Sequence, residues 1–218
     1  MRVPESIELS SAAAIPEAFM TAWDGLEQGD FAPGGSVVIH AIGSGVGTAA
    51  AQLVAAAGGI VIGTSRTRDK LERVRAFGVN DAALLDEPWD ELARARTGGA
   101  GVDVVLDFIG VATLERNLNA VRVGGRIVQI GTLAGTRGEI DAGRLMQKRA
   151  AWIGTTLRAR PIEEKIRLAR RFERLVMPQF AAGRLRPVID KTYPFDEIAE
   201  SHRRMESNAS FGKIVVTV

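Results

Sequence analysis

Short apolar, largely β-branched runs recur at 37–39, 60–63, 82–85, 102–107 and 126–130, and stretches of helical spacing lie between them at 46–57, 68–77, 89–96 and 113–121. This alternation constrains the fold more than any other feature of the chain. Strands that are apolar on both faces need cover on both faces, and helix-length connections cannot close hairpins. The pattern predicts a parallel sheet with helices on both sides, the doubly wound α/β arrangement. Glycine pairs punctuate it: Gly58-Gly59 precede the second run and Gly124-Gly125 lead into the fifth. A sixth candidate strand at 151–157 follows a loop and a short helical patch around 141–148, which completes a six-stranded sheet.

The ends read differently. Residues 10–28 have helical spacing with Pro16 as a potential division, and a long amphipathic helix runs from Pro161 towards Phe180. An extended stretch (187–195), a helix (196–206) and a final strand (212–218) close the chain, with no internal repeat and no low-complexity linker.

Composition removes several classes of function. The absence of cysteine excludes disulfides, thiolate nucleophiles and cysteine-ligated zinc, and two histidines are too few for a histidine-rich metal site. With 28 basic and 26 acidic residues the formal charge is +2, and no basic stretch alternates with aromatics, which argues against a nucleic-acid partner. No apolar run reaches the ~18 residues of a membrane helix. The opening MRVPESIELS lacks the basic-then-apolar pattern of a signal peptide, so a cytoplasmic protein is the expectation.

The first apolar run leads into HAIGSGVG at 40–47, and a small-residue helix follows. A glycine-rich strand-to-helix turn lets the backbone approach a pyrophosphate, and the helix N-terminus offers free N–H groups and partial positive charge. Gly43, Gly45 and Gly47 suit such a loop, although Thr48 stands where the strict G-x-G-x-x-G pattern has its last glycine. An ordinary tight turn is the alternative; the surrounding βαβ context favours nucleotide binding. NAD sites commonly carry an acid ~20 residues past the glycines to hold the ribose 2′-OH. Here the second strand ends in Ser65-Arg66-Thr67-Arg68, with no acid before Asp69. Hydroxyls and a guanidinium bond a 2′-phosphate that a carboxylate would repel, so the expected cofactor is NADP(H). Arg66 is the first candidate for that phosphate, Arg68 and Lys70 weaker ones; a solvated helix start is the bland reading of both arginines.

With these pieces in place, the chain resembles the quinone oxidoreductase branch of the medium-chain dehydrogenase/reductase superfamily. The resemblance rests on AAAIPEAFMTAWDGL, GGSVVIHAIGSGVGTAAAQLVAAAGG, GAGVDVVLDFIG, VGGRIVQIG and the tail YPFDEIAESHRRMESNASFGKIVV. The superfamily's A-x-x-G-x-x-G loop is present as Ala41-x-x-Ser44-x-x-Gly47, with serine at the first glycine, as in some quinone oxidoreductases. The resemblance implies that Ser44 lies near the nicotinamide, where its hydroxyl could bond a carboxamide or substrate oxygen; a serine serving only the turn is the other reading. It further implies that Thr21 faces the nicotinamide and its ribose, and that Gly45, Val46 and Gly47 hold the pyrophosphate. Ser65, Arg66 and Lys70 would meet the 2′-phosphate, while Ile109, Gly110, Gly131 and Thr132 flank the adenosine and nicotinamide sides. Phe211, Gly212 and Lys213 would return to the cleft. Outside the glycine loop each has a plain alternative: Thr21 as a helix residue, Lys213 as a surface charge.

Family members begin with a β-rich catalytic domain that forms the other wall of the cleft, and this chain starts where that domain is nearly finished. The expected organisation is a helical lead-in over 1–30, a dinucleotide-binding domain over 31–186, and a closing segment over 187–218 that returns towards the catalytic domain. The chain then reads as a truncated form, a split gene product or the result of a mis-set start codon. For the whole enzyme the resemblance implies hydride transfer from NADPH to a quinone or an α,β-unsaturated carbonyl, without zinc. A catalytically incomplete NADP(H)-binding module or sensor, and an enoyl reductase domain, are the competing readings. Relatives pair the strand at 151–157 with its copy across a two-fold axis, which implies a homodimer; an unpaired apolar edge strand is in any case an aggregation liability. His40, at the end of an apolar strand, is expected in the core rather than as a base, and Asp107 is open between a ligand role and a structural hydrogen-bond role.

Overall fold

The computed structural model describes residues 2–5 and 7–218. Six strands, β1 (Ser36–Ile39), β2 (Ile60–Ser65), β3 (Asp81–Leu84), β4 (Val102–Asp107), β5 (Val121–Gln129) and β6 (Ala151–Gly154), pair in parallel in the order β3-β2-β1-β4-β5-β6. The order reverses between β1 and β4, so the crevice of this doubly wound sheet opens outside the carboxyl ends of those two strands. The described residues hold ten α-helices: α1 (Leu9–Ala13), α2 (Pro16–Gln28), α3 (Gly45–Ala56), α4 (Arg68–Arg73), α5 (Trp89–Arg96), α6 (Leu114–Ala120), α7 (Ala142–Lys148), α8 (Ile162–Leu175), α9 (Met177–Ala181) and α10 (Ile198–Glu206). Two further strands, β7 (Ile189–Pro194) and β8 (Lys213–Thr217), form a separate parallel pair with α10 as their crossover.

The two apolar faces predicted for the central strands are both used. On one, Val37, Ile39, Val104 and Leu106 pack with Phe19, Ala22, Val54 and Phe172 from α2, α3 and α8. On the other, Val38, Ile62, Val105 and Ile127 pack with Trp89, Ala93, Leu114 and Leu118 from α5 and α6. Each fully buried side chain of this size contributes ~1.5–3 kcal/mol. Burial on both faces therefore decides the architecture.

Local differences from the sequence expectation have identifiable causes. The helix foreseen at 68–77 ends at Arg73, and residues 74–77 tighten into a 3-10 turn that closes at Gly78 with φ +83°. The fifth strand begins five residues earlier than expected, at Val121 rather than 126. Gly124-Gly125 do not precede it but form a bulge within it, where the register shifts so that Val104 faces Arg126. The helix foreseen at 10–28 is divided before Pro16, and the one foreseen from 161 breaks at Val176 into α8 and α9.

The sixth strand stops at Gly154 instead of 157. Beyond it the chain turns towards α2, where Asp24 is buried. Arg160 grips Asp24 with both guanidinium nitrogens, at 2.6 and 2.7 Å, and Thr155 donates to the same carboxylate at 3.1 Å. A buried carboxylate requires such partners, and meeting that need ends the strand.

Candidate cofactor-binding site

The parallel strands bring four strand-to-helix loops to one edge of the sheet, and the glycine loop after β1 lies at their centre. Ala41 adopts φ +47°, Ser44 N–H donates to the Ala41 carbonyl at 2.9 Å, and Ile42 N–H donates to Thr64 of β2 at 2.9 Å. The loop is thus tied to the neighbouring strand before α3 begins. Ser44 is the N-cap of α3: its Oγ accepts from Gly47 N–H at 3.0 Å, and its carbonyl accepts from Thr48 N–H at 2.9 Å. The first turn of a helix leaves its N–H groups without intrahelical partners. Ser44 answers that of Gly47, the bridge between Ser44 and Gly212 turns that of Gly45 to the Gly212 carbonyl, and among the described residues that of Val46 is left for an anion. The Ser44 hydroxyl keeps its own proton to donate.

The three glycines serve three close approaches. A Cβ on Gly43 would meet the stem of Lys70 at 2.9 Å, and one on Gly45 would meet the stem of Lys213 at 2.8 Å. One on Gly47 would meet the backbone oxygens of Ala41 and Ile42 at 2.6 and 2.7 Å. Two lysines therefore lie directly on the loop. Lys70 Nζ donates to the carbonyl of Asn208 at 2.6 Å, and Lys213 Nζ is paired with Glu17. Burial pushes the Lys70 ammonium down from its usual pKa, and neighbouring Arg66 pushes it further in the same direction. Cations that disfavour each other mark a place where a multiply charged anion is favoured.

At the end of β2, Ser65 is buried and its hydroxyl accepts from Thr67 N–H at 3.3 Å. The two arginines separate here. Arg68 is held by Glu87 at 2.6 Å, whereas Arg66 is exposed beside Lys70. In the closing segment, Gly212 N–H donates to the Gly43 carbonyl at 2.9 Å, and Ser44 and Gly212 form a parallel bridge. Phe211 is buried beneath the Arg73 guanidinium, 4.0 Å from its ring centre, and its N–H donates to Asp190 at 3.0 Å.

The loops after β4 and β5 supply the other half. Ile109 is buried and Gly110 has φ +109°, with a Cβ that would meet the Gly135 carbonyl at 2.3 Å. Gly131 N–H donates to the Asp107 carbonyl at 3.2 Å, and Thr132 is exposed. Thr21 is half-buried on α2, one turn before Gly25, which packs against Ile130 and Leu106. That contact lays α2 over the ends of β4 and β5.

Two open residues resolve. Asp107 is fully buried and accepts from Ile109 N–H (2.6 Å), Gly110 N–H (3.1 Å), Thr113 Oγ1 (2.9 Å) and Asn117 Nδ2 (2.6 Å), the structural role of its two alternatives. His40 is fully buried, bonded to Thr64 and Asn117 and edge-on to Trp89 at 4.7 Å. It belongs to the core, and burial holds its pKa below the usual value against the opposing pull of Asp107. Glu17, Asn208, Asp190 and Asn117 were not foreseen. The first three act across more than a dozen residues of chain; Asn117 alone has a local signal, standing four residues after Thr113 on the buried face of a helix.

The fold and this site define a dinucleotide-binding domain of the medium-chain dehydrogenase/reductase type. A family model described as "Zinc-binding dehydrogenase" matches residues 77–216, and the chain belongs to this family, in its quinone oxidoreductase branch. Human quinone oxidoreductase is 27% identical over 218 residues, covering 99% of this chain and 64% of the relative. The spectinabilin polyketide synthase system protein NorB of Streptomyces orinoci is 32% identical over 220 residues, covering 99% of this chain and 10% of the relative. Among solved structures, the quinone oxidoreductase from Thermus thermophilus, also solved with NADPH, superposes with a TM-score of 0.89 at 31% identity, covering 100% of this chain and 69% of that one. The chain thus spans less than two thirds of the length of both curated relatives. It has no cysteine, and among the described residues no group of three or more His, Asp or Glu could hold a metal. Among those residues, no helix is long and apolar enough to cross a membrane.

Proposed function

We propose that this chain is the NADP(H)-binding part of an oxidoreductase that reduces a quinone or an α,β-unsaturated carbonyl. The observation that carries the reading is the grouping of the first turn of α3 with Arg66, Lys70 and Lys213 around one glycine loop. Gly45 and Val46 would hold the pyrophosphate, reinforced by the α3 dipole. Lys213 would leave Glu17 to face the same group. Ser65, Arg66 and Lys70 would hold the 2′-phosphate, and Thr21, Ile109, Gly110, Gly131, Thr132 and Phe211 would shape the cleft towards the nicotinamide. Bound NADPH supplies a hydride. In this chain the Ser44 O–H is the donor available to an amide or carbonyl oxygen beside the loop. We read residues 1–30 as the lead-in to this domain, 31–186 as the domain itself, and 187–218 as the segment that completes the cleft.

Titration with NADPH, followed by nicotinamide fluorescence, tests the reading. Saturable binding with preference over NADH is expected, and no binding at millimolar cofactor would overturn it. Adding a quinone and following loss of nicotinamide absorbance separates an enzyme from a binding module. The second reading, an enoyl reductase unit, is favoured by the 32% identity to a polyketide synthase system protein; turnover of an enoyl thioester but not of quinones would select it.

We also propose a homodimer. Strand β6 is an edge of the sheet, and Trp152 on it is exposed, as are Leu133 and Met146 nearby in the chain. Pairing β6 with its copy would satisfy the open edge. Light scattering at micromolar concentration should give twice the 23.3 kDa chain mass. A monomer contradicts the proposal.

A further inference from the structure

The cofactor reading makes no use of the most deeply buried polar group in the sheet. Four side chains, all almost wholly inaccessible, join β2 to the end of β4 through the middle of the fold. Thr64 Oγ1 lies 2.7 Å from His40 Nδ1, His40 Nε2 lies 2.8 Å from Asn117 Oδ1, and Asn117 Nδ2 lies 2.6 Å from Asp107 Oδ2. The direction of each bond follows from one end. The Asn117 amide nitrogen, which can only donate, faces Asp107 Oδ2, so Asn117 presents its oxygen to His40. His40 therefore carries its proton on Nε2, and Nδ1 is left to accept the Thr64 hydroxyl proton. All donors point towards Asp107. The other oxygen of Asp107 receives the N–H groups of Ile109 and Gly110, the turn that enters the candidate cleft with φ +109°.

We propose that Thr64, His40, Asn117 and Asp107 are a one-directional positioning relay, which fixes the Ile109–Gly110 turn and through it the nicotinamide half of the cleft. The relay starts at the residue next to Ser65, so it joins the strand end assigned to the 2′-phosphate to the loop assigned to the opposite end of the cofactor. Aligned hydrogen bonds polarise one another in a low-dielectric interior, so each link strengthens the next. Cutting the chain anywhere leaves buried partners unsatisfied and loosens the carboxylate that holds the turn. The charged groups that act on His40 are Asp107, which favours its protonation, and Arg116, which opposes it; burial acts in the same direction as Arg116 and outweighs Asp107. None of the four residues touches the substrate in this account. They act through the turn.

This inference rests on the cofactor reading for its consequence but not for its core, and two measurements keep them apart. The chain has two histidines, and His202 is exposed, so a His202→Gln variant assigns the ring nitrogens by ¹⁵N NMR. His40 is expected as the Nε2–H tautomer, unchanged from about pH 5 to 8, the range in which an ordinary histidine titrates. An Nδ1–H tautomer, or normal titration, overturns the relay whether or not any cofactor binds. The second measurement compares NADPH with 2′,5′-ADP, which carries the adenosine phosphates and no nicotinamide. Asn117→Leu, and the milder Thr64→Val should the first not fold, should weaken NADPH about tenfold for the larger cut while leaving 2′,5′-ADP unchanged. Equal weakening of both ligands, or of neither, overturns the positioning role. If the native protein binds neither ligand, the cofactor reading fails, and the tautomer still decides the relay.

Discussion

Gly47→Val is expected to abolish measurable NADPH binding, with at least a hundredfold rise in Kd, and to lower thermal stability. A Cβ at this position would lie 2.6–2.8 Å from the Ala41 and Ile42 carbonyl groups. These are backbone atoms of the same loop, and Ala41 already holds φ +47° there. They cannot rotate away as a side chain would. Overpacking of this kind costs about 1–3 kcal/mol, and the relief available is to push the first turn of α3 off the loop. That movement breaks the Ser44 cap and displaces the Gly45 and Val46 N–H groups together. Gly45→Ala makes the contrast, because the atoms nearest its Cβ are methylenes of Lys213, whose long side chain can shift. It should fold normally and bind with a smaller loss. Fluorescence titration and a thermal melt on both variants check the account; native affinity in Gly47→Val would refute it.

The legibility of this chain in its sequence follows the range of the interactions. Strand β4 matches its expected bounds because 102–107 is a short apolar run between turn residues. The start of β5 was hidden because Gly124-Gly125 look like punctuation before a strand, while in the fold they bulge within it. The end of β6 was hidden for another reason. Asp24 stands more than a hundred residues before Thr155 and Arg160, and no local pattern announces that it will turn the chain. The site divides in the same way. The glycine loop and the acid-free end of β2 depend on neighbours in sequence and were readable there; that Ser44 caps α3 was not. The partners of the two lysines were not, since Lys70 finds Asn208 and Lys213 finds Glu17 only after the closing segment has folded back.

The sequence puts Arg66 ahead of Arg68, and the Glu87 ion pair gives that order a geometric cause. A guanidinium already held by a carboxylate offers less to a phosphate, and drawing it away would expose the unpaired Glu87. Arg66→Glu should therefore weaken NADPH by at least a hundredfold and leave NADH within about twofold, so the cofactor preference reverses. The magnitude follows from two terms with the same sign. A charge-assisted hydrogen bond worth about 1.5–3 kcal/mol is lost, and a carboxylate is set against a 2′-phosphate that is itself negative. With ~1 kcal/mol for that repulsion in water and 1.4 kcal/mol per factor of ten, their sum comes to about two decades or more. Arg68→Ala should shift NADPH affinity by less than about threefold, since an exposed ion pair is worth ~0–1 kcal/mol. Raising the salt concentration should shrink the Arg66 effect, because exposed charges are screened. The decisive measurement is the ratio of NADPH to NADH dissociation constants for the native chain and both variants. If Arg66→Glu lowers both affinities alike, the residue shapes the loop and does not recognise a phosphate. If Arg68→Ala gives the larger loss, the Glu87 pair opens on binding and the assignment passes to Arg68.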